Sequence, residues 1–272
     1  MIGPPSVRPG RPRGEIEILE DLRFHPGDGP RTLRIYYPFA YRADPTRHFP
    51  VLYLHDGQNA FDHPASEVSP TWGVNTALDR LIDRRDLDPW VVVALDHRGH
   101  DRIGDFSPWP DPRAPVAPAG AEHAAFVAEE LIPFIDRNLR TLAAPEHRAI
   151  GGSSLGGLMA LYLGWSRPDL FCRVAALSPS VMWGDCQLAR FWSLRGPPAR
   201  VYLDVGSREL FDAGSFQLHY GVEVREFAAH LRMLGYGEDE LRFVLDPRGE
   251  HSESDWRRRL PAALRWLLGP LG

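Results

Sequence analysis

Ser154 is the residue best placed for covalent chemistry, because it stands at the centre of a G-x-S-x-G pattern, GSSLG at residues 152–156. The pattern predicts a nucleophile elbow, in which the serine occupies a sharp turn between a strand and a helix. Glycines suit such a turn, since a Cβ there would clash where the chain reverses. Strand-like residues precede the pattern and an apolar helical pattern follows it. The alternative is a glycine-rich turn with a structural serine.

A serine hydroxyl needs a base to take its proton and an acid to orient that base. Chains with this elbow supply them in the order Ser, Asp or Glu, His. Three histidines follow Ser154, and two of them, His219 and His230, lie at the start of or within a predicted helix, where a surface or packing role is favoured. His251 instead follows the last predicted strand, in a turn before the final helix. We therefore predict His251 as the general base.

The acid is expected on the loop GSRELFD at residues 206–212, which follows the preceding predicted strand. Glu209 and Asp212 both suit the role, whereas Asp204 is expected within the strand itself. The alternative for either loop acid is a solvated turn residue.

Two backbone N–H groups should stabilise the oxyanion that forms during attack on an ester carbonyl. One is expected from Leu155, the residue after the nucleophile. The other is expected from the loop at residues 55–62, where Gly57 would let the backbone turn towards the serine.

The elements that must position these residues form an alternation of strands and helices. Strands are predicted at 15–20, 32–37, 50–55, 90–95, 147–151, 173–177, 200–205 and 241–245. Helices are predicted at 74–85, 121–140, 155–165, 220–234 and 254–268. Two opening strands followed by this alternation favour an α/β fold, with a mostly parallel central sheet and helices on both faces. We expect one domain over residues 15–272, after a flexible tail of Pro, Gly and Arg at 1–14.

Two irregular loops, at residues 107–120 and 178–199, interrupt the alternation. Loops that leave the carboxyl ends of strands line the ligand crevice of an open α/β sheet. Trp109 and Trp183 lie on these loops, and Arg102 is close to the first. Aromatic faces beside an arginine suit a flat acyl group or a sugar ring. In the alternative hypothesis the tryptophans only hold their loops against the core.

Composition excludes several classes of function. The 272 residues are 43% hydrophobic and carry a net charge of −5, which gives no reason to expect nucleic acid or a membrane surface as a partner. All 31 basic residues are arginine, which excludes a lysine nucleophile or Schiff base. The two cysteines lack metal-ligand spacing and are too few for a disulfide framework. Since we find neither a signal-peptide core nor a run long enough to span a bilayer, we expect a cytoplasmic protein.

Further segments carry a resemblance to a known family. They are VLYLHDGQN at 51–59, W-x-x-N at 72–75 and R-x-x-DFSPW at 102–109. Together with the elbow, G-x-x-E at 206–209 and HSESDW at 251–256, they look like the "Putative esterase" family of α/β-hydrolases. That family includes enterochelin, feruloyl and acetylxylan esterases and the antigen 85 mycolyltransferases. The resemblance spans residues 30–268.

The resemblance implies a single-domain α/β-hydrolase with a Ser154–Glu209–His251 triad and an oxyanion hole of the Gln58 and Leu155 N–H groups. It implies a serine esterase that hydrolyses a small-molecule carboxylic ester through an acyl-enzyme, similar to enterochelin esterase and without a cofactor. A carbohydrate (feruloyl or acetyl) esterase or an acyltransferase is the alternative. We expect the chain to depart from siderophore esterases in having no extra N-terminal domain. Family membership defines ester chemistry better than it defines the substrate, and the oligomeric state stays open.

A metal site and a non-catalytic binding protein are the rival hypotheses. Potential ligands occur at residues 55–56, 62–63 and 96–101, but their spacing matches no zinc motif, and turns at strand ends explain them. We therefore expect no metal. A binding protein on a hydrolase fold would have lost its triad, whereas here all three residue types occur in the required order.

Overall fold

An eight-stranded sheet organises the protein, whose computed structural model describes residues 13–24, 29–196, 198–212 and 217–271. Most of the predicted tail, residues 1–12, therefore lies outside the described residues. The strands are β1 (Glu15–Leu22), β2 (Arg31–Tyr37), β3 (Val51–His55), β4 (Val91–Leu95), β5 (Arg148–Ser153), β6 (Arg173–Leu177), β7 (Arg200–Gly206), β8 (Leu210–Asp212), β9 (Gln217–His219) and β10 (Leu241–Asp246).

The helices lie between these strands or after the last one. They are α1 (Phe39–Ala43), α2 (Val74–Asp83), α3 (Arg102–Asp105), α4 (Gly120–Phe126), α5 (Ile132–Asn138), α6 (Ser154–Ser166), α7 (Trp183–Phe191), α8 (Tyr220–Met233) and α9 (Glu253–Leu268). Those near 74–85, 121–140, 155–165, 220–234 and 254–268 were predicted, whereas those at Phe39–Ala43, Arg102–Asp105 and Trp183–Phe191 were not. In the described part of the chain, no helix is both long enough and apolar enough to cross a bilayer.

The sheet order is β1-β2-β4-β3-β5-β6-β7-β10, and β8 pairs with β9 in a separate hairpin. The β1–β2 and β2–β4 pairs are antiparallel, whereas every pair from β4 to β10 is parallel. This arrangement confirms the predicted α/β fold with a mostly parallel central sheet. It also brings the carboxyl ends of β3, β5, β6, β7 and β10 to one edge, where their loops can meet.

Helices cover both faces of the sheet. Alternate residues of β3 show why its sequence is apolar throughout: Val51 and Tyr53 join the core under α4 to α8, whereas Leu52 and Leu54 join the core under α2 and α9. Each such side chain stabilises the folded state by about 1.5–3 kcal/mol when it is fully buried.

The predicted helix at 121–140 is interrupted, in contrast to the prediction. Residues Val127–Leu131 between α4 and α5 form a π-helical turn, in which the Ile132 N–H donates to the Val127 carbonyl. Pro133 follows at once, and proline both lacks an N–H and needs extra space against the preceding turn. A wider turn at this point accommodates the ring.

Candidate active site

Ser154 stands at a sharp strand-to-helix turn, since β5 ends at Ser153 and α6 begins at Ser154. Its φ angle is +54°, a left-handed conformation that costs a non-glycine residue about 1–3 kcal/mol. The flanking glycines are required by close approach: a Cβ on Gly152 would lie 2.6 Å from the carbonyl of Gly156. The turn therefore has the backbone of a nucleophile elbow, and the serine hydroxyl projects from the sheet edge.

Glu209 and His251 lie together at the same edge. Glu209 follows β7 and His251 follows β10, its parallel neighbour in the sheet. The Glu209 Oε2 atom lies 2.8 Å from His251 Nδ1. The glutamate side chain has no exposed surface, whereas 29% of the histidine side chain is exposed. A buried carboxylate thus holds one ring nitrogen, which leaves the other nitrogen for proton transfer.

Other hydrogen bonds determine which carboxylate oxygen faces the histidine. Glu209 Oε1 accepts from the Gly206 N–H at 2.6 Å and from the Ser178 hydroxyl at 2.7 Å. Ser178 Oγ in turn accepts from Trp256 Nε1 at 2.9 Å and from the Arg259 guanidinium at 2.8 Å, so its own proton is directed to Glu209. Oε2 is left for His251.

These contacts also fix the charge of the acid. Burial alone would raise the pKa of Glu209, but the hydrogen bonds from His251 and Ser178 outweigh it, and the pKa is lowered overall. Glu209 is therefore ionised at neutral pH and can stabilise an imidazolium on His251. By contrast, burial raises the pKa of Asp204 to about 7, although Arg259 lies 3.2 Å away.

The imidazole of His251 is held between two aromatic rings. Its centroid lies 4.7 Å from the Tyr220 ring and 5.0 Å from the Trp256 ring. Trp256 is on α9, whose first turn is capped by the Ser252 side chain, which accepts from the Asp255 N–H. The Ser-x-x-Asp spacing of residues 252–255 is typical of such a cap. The cap orients the turn that carries the histidine.

In this structure the Ser154 hydroxyl lies next to Ser180. Ser154 Oγ lies 3.4 Å from Ser180 Oγ, and Ser180 Oγ lies 3.1 Å from the Tyr220 hydroxyl. Among the hydrogen bonds of the described residues, none joins Ser154 to His251. Tyr220 connects the two, because its hydroxyl end reaches the serines and its ring packs on the imidazole.

The loop after β3 packs directly against the elbow. A Cβ on Gly156 would lie 3.0 Å from a carboxylate oxygen of Asp56. Asp56 has a left-handed φ of 58°, and a Cβ on Gly57 would lie 2.8 Å from the Ala94 carbonyl, so the chain turns tightly over β4. Gln58 follows this turn and is buried, and Leu155 in the first turn of α6 has one of the N–H groups without a helical acceptor. An oxyanion hole formed by these two N–H groups stays a prediction.

Arg102 holds this loop. Its guanidinium donates to both carboxylate oxygens of Asp56, at 2.7 and 2.8 Å. Such a two-pronged pair is geometrically specific, and it explains the arginine without a ligand. Contact between Arg102 and a substrate stays a prediction.

Trp109 and Trp183 lie together beside α6. Trp183 Nε1 donates to the Trp109 carbonyl at 2.9 Å, and the Trp109 ring packs on Tyr162 and Phe191 at 5.5 and 5.3 Å. Both side chains keep some exposed surface. The contacts favour the hypothesis that the tryptophans hold their loops to the core, and the exposed parts leave a substrate contact as a prediction.

Other sequence candidates have identifiable surroundings. The Asp212 side chain lies outside the described part of the structure, so the choice between Glu209 and Asp212 rests on the contacts of Glu209. Of the proposed metal ligands, Asp62 pairs with Arg257 at 2.6 Å and Asp96 pairs with Arg34 at 2.8 Å. Among the described residues, no group of three or more His, Cys, Asp or Glu side chains is placed to hold a metal ion.

Sequence reasoning missed Ser178, Ser180, Tyr220 and Arg259. The two serines flank a proline directly after β6, which was a usable signal, because loops at the carboxyl ends of parallel strands line the site. Tyr220 begins α8 and Arg259 lies inside α9, and neither carries a local signal.

Comparisons with known proteins identify the family. A family model described as "Putative esterase" matches residues 27–267. Ferri-bacillibactin esterase BesA of Bacillus subtilis is 27% identical over 265 residues, which cover 81% of this chain and 87% of that protein. The uncharacterized protein YbbA of the same organism is 24% identical over 89% of this chain and 94% of its own length. An iron(III) salmochelin esterase of Escherichia coli is 27% identical over 71% of this chain but only 46% of its own length.

Solved structures share the fold. A ferulic acid esterase superposes with a TM-score of 0.68 and 19% identity, covering 95% of this chain and 100% of that one. An enterochelin esterase from Shigella flexneri gives a TM-score of 0.71 at 21% identity, covering 97% of this chain and 60% of that one. The fold is therefore the α/β-hydrolase fold of these esterases.

Proposed function

The chain belongs to the "Putative esterase" family and is a carboxylic ester hydrolase, and from that premise we propose that it acts through an acyl-enzyme formed on Ser154. The pair of Glu209 and His251 carries this proposal, with 2.8 Å between Oε2 and Nδ1 and the elbow serine at the same sheet edge. A buried acid, an oriented imidazole and a serine nucleophile are the three members of a catalytic triad for acyl transfer.

In the first half-reaction, Ser154 Oγ attacks the ester carbonyl carbon while His251 Nε2 takes the serine proton. For this step the Ser154 O–H directs its proton to the imidazole. Glu209 stabilises the imidazolium that forms, and the N–H groups of Gln58 and Leu155 stabilise the oxyanion. As the carbonyl re-forms, the C–O bond to the alcohol breaks, and His251 donates its proton to the leaving oxygen.

The second half-reaction releases the acid. A water molecule gives a proton to His251 Nε2 and adds to the acyl carbon, which forms a second oxyanion in the same hole. The bond from the carbon to Ser154 Oγ then breaks, and the imidazolium returns its proton to the serine. The free carboxylic acid leaves, and the enzyme returns to its starting protonation state.

For the substrate, we propose an ester of the siderophore type. Support comes from BesA, named a ferri-bacillibactin esterase, because the similarity covers most of both chains. A feruloyl ester of a carbohydrate is the second candidate, supported by 26% identity over 187 residues to an endo-1,4-beta-xylanase/feruloyl esterase of Xylanibacter ruminicola and by the two loop tryptophans. That match covers only 22% of the longer protein.

A panel of esters would separate these candidates. We would compare kcat/KM for p-nitrophenyl acetate, feruloylated and acetylated sugars, and a catecholate lactone, with and without an added sugar acceptor. Preference for the lactone supports a siderophore ester, preference for the feruloyl sugar supports the second candidate, and product formed on the acceptor indicates acyl transfer. No turnover of any ester, with no labelling by a serine-reactive fluorophosphonate, would contradict the proposed function.

Replacing Glu209 by glutamine should lower kcat by about two orders of magnitude, because a neutral amide cannot stabilise the imidazolium and favours the wrong tautomer. The matched control is Asp212→Asn on the neighbouring strand, which should keep nearly full activity. Steady-state kinetics on one p-nitrophenyl ester measure both variants. The reverse ranking would assign the acid to Asp212.

Trp183→Ala should raise KM for an aromatic-acyl ester about tenfold and leave KM for an acetyl ester nearly unchanged, if the indole face contacts a flat acyl group. Phe191→Ala is the matched control, because it removes an aromatic packing partner of Trp109. An equal loss of kcat/KM on both esters, or a lower melting temperature with unchanged kinetics, would show that Trp183 only holds its loop.

A further inference from the structure

Two buried hydroxyl groups lie in series behind the nucleophile and have no part in the triad. Ser180 Oγ is 3.4 Å from Ser154 Oγ, and the Tyr220 hydroxyl is 3.1 Å from Ser180 Oγ. Ser180 and Tyr220 are 3% and 7% exposed. Burying a hydroxyl this deeply costs free energy of folding unless the hydroxyl makes hydrogen bonds. We therefore expect these hydroxyls to keep the contacts seen here.

Backbone hydrogen bonds fix both residues to the site. The Ser180 N–H donates to the Ser154 carbonyl at 3.0 Å, which holds the loop after β6 against the elbow. The Tyr220 N–H donates to the Glu209 carbonyl at 3.2 Å, which holds the start of α8 against the acid. The two hydroxyls are therefore positioned by the same loops that position the nucleophile and the acid.

The direction of donation follows from the chemistry of the nucleophile. Ser154 must give its proton to His251, so in the Ser154–Ser180 pair the donor has to be Ser180. Ser180 Oγ then accepts from the Tyr220 hydroxyl at the end of the series. Burial raises the pKa of Tyr220, although the Ser180 and Ser154 hydroxyls oppose this shift. The phenol therefore stays protonated and serves as a donor, not as a base.

We propose that Ser180 and Tyr220 form a hydroxyl relay, in which Tyr220 donates to Ser180 and Ser180 donates to Ser154 Oγ as negative charge develops there. The proposal rests on the proposed esterase function. During acylation the relay stabilises Oγ while its proton moves to His251. During deacylation it stabilises Oγ again as the bond to the acyl carbon breaks. No proton passes along the relay, and both hydroxyls keep their own protons throughout.

The sharpest test uses two substitutions of nearly identical shape. Ser180→Thr keeps the hydroxyl and Ser180→Val removes it, while both add the same bulk to a buried position. Tyr220→Phe removes the phenol oxygen but keeps the ring on His251. Tyr53→Phe is the matched control, because Tyr53 is equally buried but lies on β3, where its ring packs on Phe171. Hydrolysis of p-nitrophenyl acetate and the labelling rate with a fluorophosphonate are measured for each.

We expect kcat and the labelling rate to fall about tenfold or more in Tyr220→Phe, as for a lost hydrogen bond to a developing charge, with KM unchanged. Ser180→Val should be slower than Ser180→Thr by about the same factor. The double variant Ser180→Val/Tyr220→Phe should be no slower than Ser180→Val. Tyr220 acts on Ser154 through Ser180, so its loss has no further effect once the Ser180 hydroxyl is absent.

Other outcomes overturn the relay. Tyr220→Phe within about twofold of the wild type, or equal rates for the threonine and valine variants, would show that these residues only pack, because hydrogen bonds to charge are worth more than this. In both cases the wild type would still label and hydrolyse, so the esterase proposal would stand. A wild type that neither labels nor hydrolyses would overturn the proposed function and the relay together.

Discussion

Ser154→Ala should lower kcat for ester hydrolysis by at least about three orders of magnitude, because the variant lacks the atom that forms the acyl-enzyme. Ser153→Ala is the matched control: Ser153 is the buried last residue of β5 and should tolerate the change with activity retained. Steady-state kinetics and fluorophosphonate labelling measure both. An inactive Ser153→Ala beside an active Ser154→Ala would move the nucleophile by one residue.

A second substitution at the same position separates lost chemistry from lost folding. Ser154 has a φ of +54°, which alanine adopts at a cost of about 1–2 kcal/mol and glycine adopts freely. Glycine loses about 0.5–1 kcal/mol more backbone entropy on folding than alanine does, which offsets part of that relief. We therefore expect Ser154→Gly to be as inactive as Ser154→Ala and at least as stable in urea unfolding. A clearly less stable glycine variant would contradict the strained turn.

The strands could be predicted from the sequence because a strand that is buried on both faces is apolar along its whole length. β4 is the continuous apolar run Val91–Leu95, and β3 and β6 are similar, since both faces of each strand are covered by helices. The elbow was equally visible, because the close approach of Gly152 to Gly156 allows no side chain. The predicted limits of these elements agree with the structure to within about two residues, the usual uncertainty of element ends.

The remaining features depend on contacts between distant segments. The two-pronged ion pair of Arg102 and Asp56 joins residues 46 positions apart. In the sequence, the arginine was therefore visible only as a charge near a loop. Tyr220 reaches the serines only because α8 packs across the sheet, and a tyrosine at a helix start carries no signal of that. Pro133 could have indicated the π-helical turn before it, but the helical spacing of apolar residues over 121–140 predicts one continuous helix.

The sheet order explains how five separate segments make one site. From β3 through β5, β6 and β7 to β10, neighbouring parallel strands are followed by Gln58, Ser154, Ser180, Glu209 and His251 in that spatial order. The residues proposed as oxyanion donor, nucleophile, supporting hydroxyl, acid and base thus follow neighbouring strands of the sheet, although 193 positions separate Gln58 from His251 in the sequence. The parallel register of the strands brings the loops that carry these groups to one edge of the sheet.

His251→Ala should lower kcat by at least about three orders of magnitude, because the variant lacks the base proposed to take the Ser154 proton. The lost ring leaves a gap between Tyr220 and Trp256, whose centroids lie 4.7 and 5.0 Å from the imidazole. Added imidazole should enter this gap and restore part of the rate in proportion to its concentration, whereas Ser154→Ala should gain nothing from it.

The matched control for this prediction is His219→Ala, which removes an exposed histidine near the start of α8 and should leave the kinetics unchanged. In the wild type, turnover should fall in strong acid, where Glu209 becomes protonated, since its pKa is lowered below the usual range for a glutamate. A His251→Ala protein with near wild-type turnover, or an activity that rises in acid, would contradict the assignment. Rescue by imidazole would instead show that His251 supplies a base and not merely a packed ring, since an alanine variant impaired only in packing has no use for a free proton acceptor.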